Sequence, residues 1–369
     1  MGRMWRNQRQ LKAICVLLIL AMTLGLLPGA AWAEGNELAG SGTAEDPHLL
    51  ADAEDLKTFR DMVNAEDSSS LCARLTADID LGSEEWTPIY SKSGCEKDYV
   101  TTAYAGVFDG DGHTIRGLSI NATTANQGLF SVINGATVKN LNVEGSVASS
   151  NNYVGGIVGK VQQGTIENCS FRGTVTTTKD KGYAGGITGT TVAQTTQISG
   201  CVNTGSITGG TAGGIVGCAK YTEIESCYNT GKINGTGNTG GIVGQSMNKT
   251  TVENCYSIGE VSSTDNAGGI AGFNGVTDGI RNCYWTQPDD GFKGGTGPKD
   301  ETSAKISSVE GLADKLGDVF TTDADGNVIL KWQTGTAPAP KDPQIIITGS
   351  SDLYMTNSGT QPTGTLTVI

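Results

Sequence analysis

The chain has 369 residues, 54 of them glycine, about twice ordinary usage, while aromatic residues make up 6% and charged residues 17%. The glycines keep no three-residue period, which excludes collagen, and Val, Ile, Leu and Thr recur between them, which excludes a wholly disordered chain. A formal net charge of −13 leaves no basic footprint for nucleic acid or anionic lipid, and two histidines, His48 and His113, leave little room for histidine triads or multi-histidine metal sites.

Arg3, Arg6, Arg9 and Lys12 form a basic start, residues 13–27 are an apolar run, and Ala31-Trp32-Ala33 supplies an A-x-A cleavage site. This pattern predicts a signal peptide over 1–33; the apolar run is short for a spanning helix of about 20 residues. Cys15 lies inside the run, not just after a cut, so no lipoprotein is indicated. Cleavage removes four cations and no acid, leaving 21 Lys and Arg against 38 Asp and Glu. The expected product is an acidic, exported protein, secreted or held at a bacterial cell surface.

Residues 34–104 read as an N-terminal cap. Asp52 is placed to cap a helix whose Leu56, Phe59 and Val63 share one face, and Leu71 to Leu81 alternate apolar and polar as lead-in strands.

From 105 to 290 the chain repeats. Tyr153-Val-Gly-Gly-Ile-Val-Gly159 returns at Tyr183, Thr211, Asn238 and Asn266, with steps of 30, 28, 27 and 28 residues between the Gly pairs. A second phrase follows each copy: Ile166-Glu-Asn-Cys169, Ile198-Ser-Gly-Cys201, Ile224-Glu-Ser-Cys227, Val252-Glu-Asn-Cys255 and Ile280-Arg-Asn-Cys283. Val138 to Leu141 and Ile115 to Leu118 read as two degenerate copies, making about seven units. Each unit holds short apolar runs separated by Gly, Asn and Ser, with no helical period between them, and is too short for a propeller blade of about 40–45 residues. One turn of a parallel β-helix fits, with like residues stacked at about 4.8 Å and Ile157, Ile187, Ile215, Ile242 and Ile270 as an inward ladder.

These phrases, with Tyr228-Asn-Thr-Gly231, resemble the GLUG-motif repeats of bacterial surface and secreted proteins. The lead-in segments Gly40 to Pro47, Leu75 to Leu81 and Val107 to Ile115 share the likeness, as does Leu330-Lys-Trp332. The resemblance covers roughly 38–333. It implies a right-handed β-helix, on a bacterial cell surface or secreted; with the caps read from the residues themselves, the expected fold is an all-β, right-handed parallel β-helix with short helical caps at both ends. Such repeats also occur in large adhesins and beside a metallopeptidase domain in immunoglobulin-cleaving proteins. The chain holds no His-Glu-x-x-His, so peptidase activity does not carry over.

Residues 291–333 read as a C-terminal cap, with Ser307-Ser-Val-Glu310 as a capping box, Val309, Leu312 and Leu316 as an apolar face and Gly317 as the stop. Residues 334–343, with Pro338, Pro340 and Pro343, read as a linker, and 344–369 as the stub of an immunoglobulin-like module.

The chemistry-bearing residues divide into core and surface. The repeat cysteines share their slot with Leu141 and Leu118, so they read as reduced core thiols, and no CxxC pair suggests zinc. Cys72 and Cys95 either pair with each other or stand free. Glu225 and Glu253 fall in one column and would lie about 5 Å apart, close to the carboxylate spacing of a retaining glycosidase, but Glu167 and Arg281 share that column and stacking alone produces the distance. Asp109-Gly-Asp-Gly112 reads as a tight turn, not a calcium loop, and His113 as structural. Gly235 to Gly240 matches GxGxxG without opening a helix. No cofactor or metal is implied. Tyr228, Tyr256 and Tyr284 each follow a ladder cysteine and so point outward, as a candidate ligand-binding strip for a neutral glycan or a basic host surface protein. The functional expectation is a non-enzymatic, adhesin-like or scaffold protein. The alternative is a carbohydrate-active enzyme, a glycan lyase or hydrolase, which rests on fold analogy. The mature chain is expected to begin at Glu34; N-terminal sequencing of secreted material checks this, and intact Met1 in a membrane fraction would refute it.

Overall fold

The computed structural model describes residues 38–65, 69–90, 103–193, 196–288, 290 and 303–335. The signal peptide, Cys95, residues 336–343 of the linker and the 344–369 stub lie outside the described residues. The described strands outside one small hairpin pair in parallel and build sheets of thirteen, twelve and five strands. One turn illustrates the path. Asn238–Gly240 lies in the five-stranded sheet, Val243–Met247 and Thr251–Glu253 in the thirteen-stranded sheet, and Tyr256–Ser257 and Val261–Ser263 in the twelve-stranded sheet. Four of these strands pair in register with their counterparts one repeat on, Val243 with Ala271, Val252 with Ile280, Tyr256 with Tyr284 and Asn238 with Asn266, while Val261–Ser263 pairs back to Ile233–Gly235. The fold is thus a parallel β-solenoid.

Strands His48–Leu50 and Ala73–Leu75 extend the column of Phe108, Val138 and Ile166 toward the N-terminus, so the lead-in also builds turns. The five Ile of the Gly-Gly-Ile phrase are fully buried, as are Ile166, Ile198 and the repeat cysteines. One degenerate repeat is out of register with the sequence expectation. Leu141 stands in the cysteine column, because Asn142 pairs with Ser170, but Ile115 pairs with Val143 and Leu118 with Gly145 across an irregularity. The turn at Gly110 to Gly112 and the left-handed Gly117 (φ +70°) take up extra residues, so Leu118 falls outside the cysteine slot.

Two backbone features close each turn. A Cβ on Gly213 would lie 2.0 Å from the Val216 carbonyl oxygen, and one on Gly214 would lie 2.1 Å from that of Gly241, so the Gly pair answers close approach, not positive φ. The opposite corner is left-handed at Asn140, Asn168, Gly200, Ser226, Asn254 and Asn282, with φ between 48° and 62°. Asn and Gly tolerate that conformation best, which accounts for their recurrence before the cysteine.

Helix α1, Ala53–Asn64, is capped by Asp52, whose carboxylate accepts from the N–H of Glu54 and of Asp55 at 2.9 and 3.0 Å. Its Leu56, Phe59 and Val63 are buried, and the Phe59 ring meets Phe108 and Tyr104 at 5.9 and 6.3 Å, closing the N-terminal end of the core. At the other terminus the expected capping box does not cap. Helix α2 spans only Leu312–Leu316, preceded by left-handed Gly311, while the Ser308 hydroxyl accepts from Glu310 N–H in a turn. Gly317 ends it as expected. The last turn is instead extended by Ala304–Lys305, which pairs with Tyr284–Trp285, and α2 lies against the side of the solenoid.

Gly213→Ala is expected to destabilise by about 3 kcal/mol or more, since the methyl meets backbone and not a movable side chain. Gly326→Ala, at φ +86° with open space around it, should cost only about 1–2 kcal/mol. Denaturant melts of the two variants check the contrast, and equal costs would refute it.

Candidate functional site

At each corner of the later turns the side chains alternate in, out, in. Cys227 points into the core, Tyr228 out and Asn229 in, and the pattern repeats at Cys255-Tyr256-Ser257 and Cys283-Tyr284-Trp285. The seven described cysteines are free and buried. Each repeat thiol donates to the carbonyl two residues upstream, for example Cys227 to Glu225 O at 3.2 Å and Cys255 to Glu253 O at 3.1 Å, across the left-handed corner. Burial pushes the Cys169, Cys227 and Cys283 thiols well above the ordinary range, so they stay protonated.

The inward neighbours form a polar ladder that the sequence reading missed. Asn203 donates to the Asn229 carboxamide oxygen at 2.7 Å, and Asn229 to the Ser257 hydroxyl at 3.2 Å. Both amides also bind the backbone at the next Gly, at 3.1–3.2 Å. The recurrence of Asn two residues after Cys, and two before Gly, was the available signal.

The tyrosine column is present but not exposed. Val202, Tyr228, Tyr256 and Tyr284 stand in register, and the Tyr228 and Tyr256 rings stack at 4.8 Å with planes 6° apart. The rings therefore turn their faces to one another. Their outer side is covered by residues 307–335, which pack Leu312, Leu316, Phe320, Val328 and Leu330 against them and leave Tyr228, Tyr256 and Tyr284 only 3, 1 and 8% exposed. Tyr256 donates to Val328 O, Tyr228 to Gln333 Oε1 at 2.9 Å, and the Trp332 indole to Gly200 O at 3.0 Å. The expectation of an open aromatic strip is thus corrected: a segment that contacts the column 72 to 105 residues downstream through its hydroxyl bonds buries it, and no local pattern around the tyrosines reveals that cover.

The other candidates fall where stacking puts them. Glu225 pairs in register with Glu253, which meets Arg281 at 3.3 Å, a charge ladder along one face. Asp109 accepts from Asp111 N–H at 3.0 Å in the tight turn and meets Lys139 at 3.2 Å. Asp78 receives the Thr114 N–H at 2.9 Å, with Arg116 at 2.9 Å and His113 at 3.3 Å; the Thr114 N–H first, then the two side chains, hold its carboxyl below the ordinary range. Gly235 ends one strand and Asn238 begins the next, so no helix follows that glycine pattern. Among the described residues no group of three or more His, Cys, Asp and Glu is placed to hold a metal ion.

What does lie open is a face of short, uncharged side chains. Ser146, Thr174 and Ser206 pair in one outward column, and Thr176 and Thr208 in the next, continued by Asn234 and Ser262. Thr174 donates to Ser146 at 2.9 Å and Ser262 to Asn234 at 2.8 Å. Charge enters this face at its margins, where Lys232 and Glu260 pair at 2.9 Å at the far end and Arg172 approaches Glu144 to 3.9 Å two residues before Thr174 and Ser146.

Burial holds the Tyr256 phenol well above its ordinary range and pushes that of Tyr228 up to about 12. Above about pH 10 the unfolded chain releases phenolic protons that the folded chain keeps, so stability is expected to fall from about pH 10 upward, through about 12 for Tyr228. Denaturant titrations at pH 8, 10 and 11 check this. The decline should flatten in Tyr228→Phe and Tyr256→Phe, and an unchanged decline in both would refute the assignment.

Residues 150–176, 209–234 and 235–262 each match the GLUG motif. Halomucin from Haloquadratum walsbyi is 35% identical over 173 residues, which are 45% of this chain and 2% of halomucin, so the chain spans a small part of that relative's length. A crystal structure from Bacteroides ovatus, provisionally designated an immunoglobulin A1 protease, superposes with a TM-score of 0.60 at 23% identity, over 79% of this chain and 94% of that one. At that identity the likeness is one of fold.

Proposed function

We propose that this chain, a GLUG-motif repeat protein, is a non-enzymatic extracellular surface scaffold that meets its partners through a flat solenoid face. The carrying observation is the hydroxyl face, whose columns run in register over successive turns with charge only at its margins, while another face carries the Glu225, Glu253 and Arg281 ladder. A surface of hydroxyl and amide dipoles suits an uncharged ligand that presents hydroxyl groups of its own, and a neutral glycan is the partner of that chemistry. An acidic chain repels sulfated glycans and nucleic acids. The similarity to halomucin and the basic, apolar, A-x-A start of the chain support an extracellular place.

A glycan array run beside a reducing-sugar release assay tests the proposal. Binding to neutral glycans without release is expected, and the triple change Ser146→Arg, Thr174→Arg, Thr208→Arg should weaken it about tenfold or more while the melting temperature holds. Release of sugar by the unaltered protein, or full binding by the triple variant, would refute it.

A further inference from the structure

The segment that buries the tyrosines is built differently from the turns it covers. Its hairpin, Phe320–Thr322 with Val328–Leu330, is a two-stranded antiparallel sheet that shares no strand with the solenoid sheets. Ile306 N–H donates to Trp285 O at 2.8 Å; beyond it, the described backbone bonds of this segment stay within it, as between Lys331 and Val319 at 2.9 Å. The hold on the solenoid comes from side chains: the two tyrosine hydroxyls, Asn282 to Lys315 O at 2.8 Å, and Trp332 to Gly200 O. The segment runs back from the last turn to the level of Gly200, so its far end rests on the Trp332 and Gln333 contacts. Residues 307–335 carry five acids and two lysines, on a chain that is itself acidic. The turns beneath complete their own ladders, since Val202, Tyr228, Tyr256 and Tyr284 are joined by strand pairing that needs nothing from the cover.

We propose that residues 307–335 are a separable strap: it opens as a unit while the solenoid stays folded, and its opening uncovers the column of Val202, Tyr228, Tyr256 and Tyr284. A two-stranded hairpin with one turn and a half of helix is marginal by itself, so its stability is borrowed from side-chain contact with the column. Losing that contact therefore releases the whole strap before any turn loses its ladder, a sub-global opening with a free energy below that of unfolding. The opening begins where the Trp332 end lifts, and it exposes an apolar aromatic column that is buried in this state.

Native-state hydrogen exchange of the full chain, read by mass spectrometry at low guanidinium concentrations, tests the opening. Amides of 307–335 are expected to exchange through an opening that leaves those of 130–286 protected, and iodination of Tyr228 and Tyr256 should follow the same opening. Trp332→Ala should raise the opening equilibrium about tenfold, from the loss of one hydrogen bond and part of an indole contact, with protection of 130–286 unchanged. Exchange of the strap only through global unfolding would overturn the proposal. So would a Trp332→Ala variant in which strap and turns lose protection equally. Trp332→Phe, which keeps most of the packing and drops the indole donor, should fall between the two; an effect larger than that of Ala would also overturn it.

Discussion

Each turn hydrogen-bonds its backbone to the same positions of the turns on either side, at the strand spacing of about 4.8 Å. This in-register pairing fixes how closely successive corners approach, and the rest of the structure follows from it. Where Gly213 and Gly214 pass the carbonyls of Val216 and Gly241, no side chain fits. Where the chain must turn left-handed before each cysteine, Asn and Gly predominate. Because like residues fall on like, runs of inward positions become ladders, stable where the side chains are apolar or where polar ones find partners along the column.

The interior shows both solutions. The Ile and Val columns are apolar and buried, and each fully buried aliphatic side chain contributes about 1.5–3 kcal/mol. The Asn203–Asn229–Ser257 column is polar, yet each amide bonds to the next turn and to its own following Gly, which avoids a cost of about 1–3 kcal/mol for each group left without a partner. The cysteines combine the two, as small apolar groups whose thiols reach the carbonyl exposed by the left-handed corner.

The same constraint explains why stacked residues imitate catalytic spacing. Glu225 and Glu253 stand one turn apart because every residue in a column stands one turn from its neighbour. Stacking also turns the faces of Tyr228 and Tyr256 toward one another, so an aromatic column offers ring edges to its surroundings. Flat faces, not pockets, are the natural product of such a fold, and their character is set by which side chains recur: charge on one, hydroxyls and amides on another, aromatics under a strap on a third.

The sequence alone determined the parallel solenoid, its period, its inward Ile and Cys columns and the Asp52-capped helix. All of these are written in local spacing, and stacking converts that spacing directly into position. It misplaced Leu118, because a left-handed glycine and a tight turn absorb residues without leaving a periodic trace. It read Ser307 to Glu310 as a cap, although Gly311 breaks the backbone before the helix can start there. Most of all it read the tyrosines as open. Their outward direction is a property of alternation along one strand and is legible in three residues. Their burial depends on Leu312, Phe320, Val328 and Trp332, which reach them only because the chain doubles back along the solenoid. Contact between segments so far apart in the chain obeys no period, so only the tertiary structure decides it.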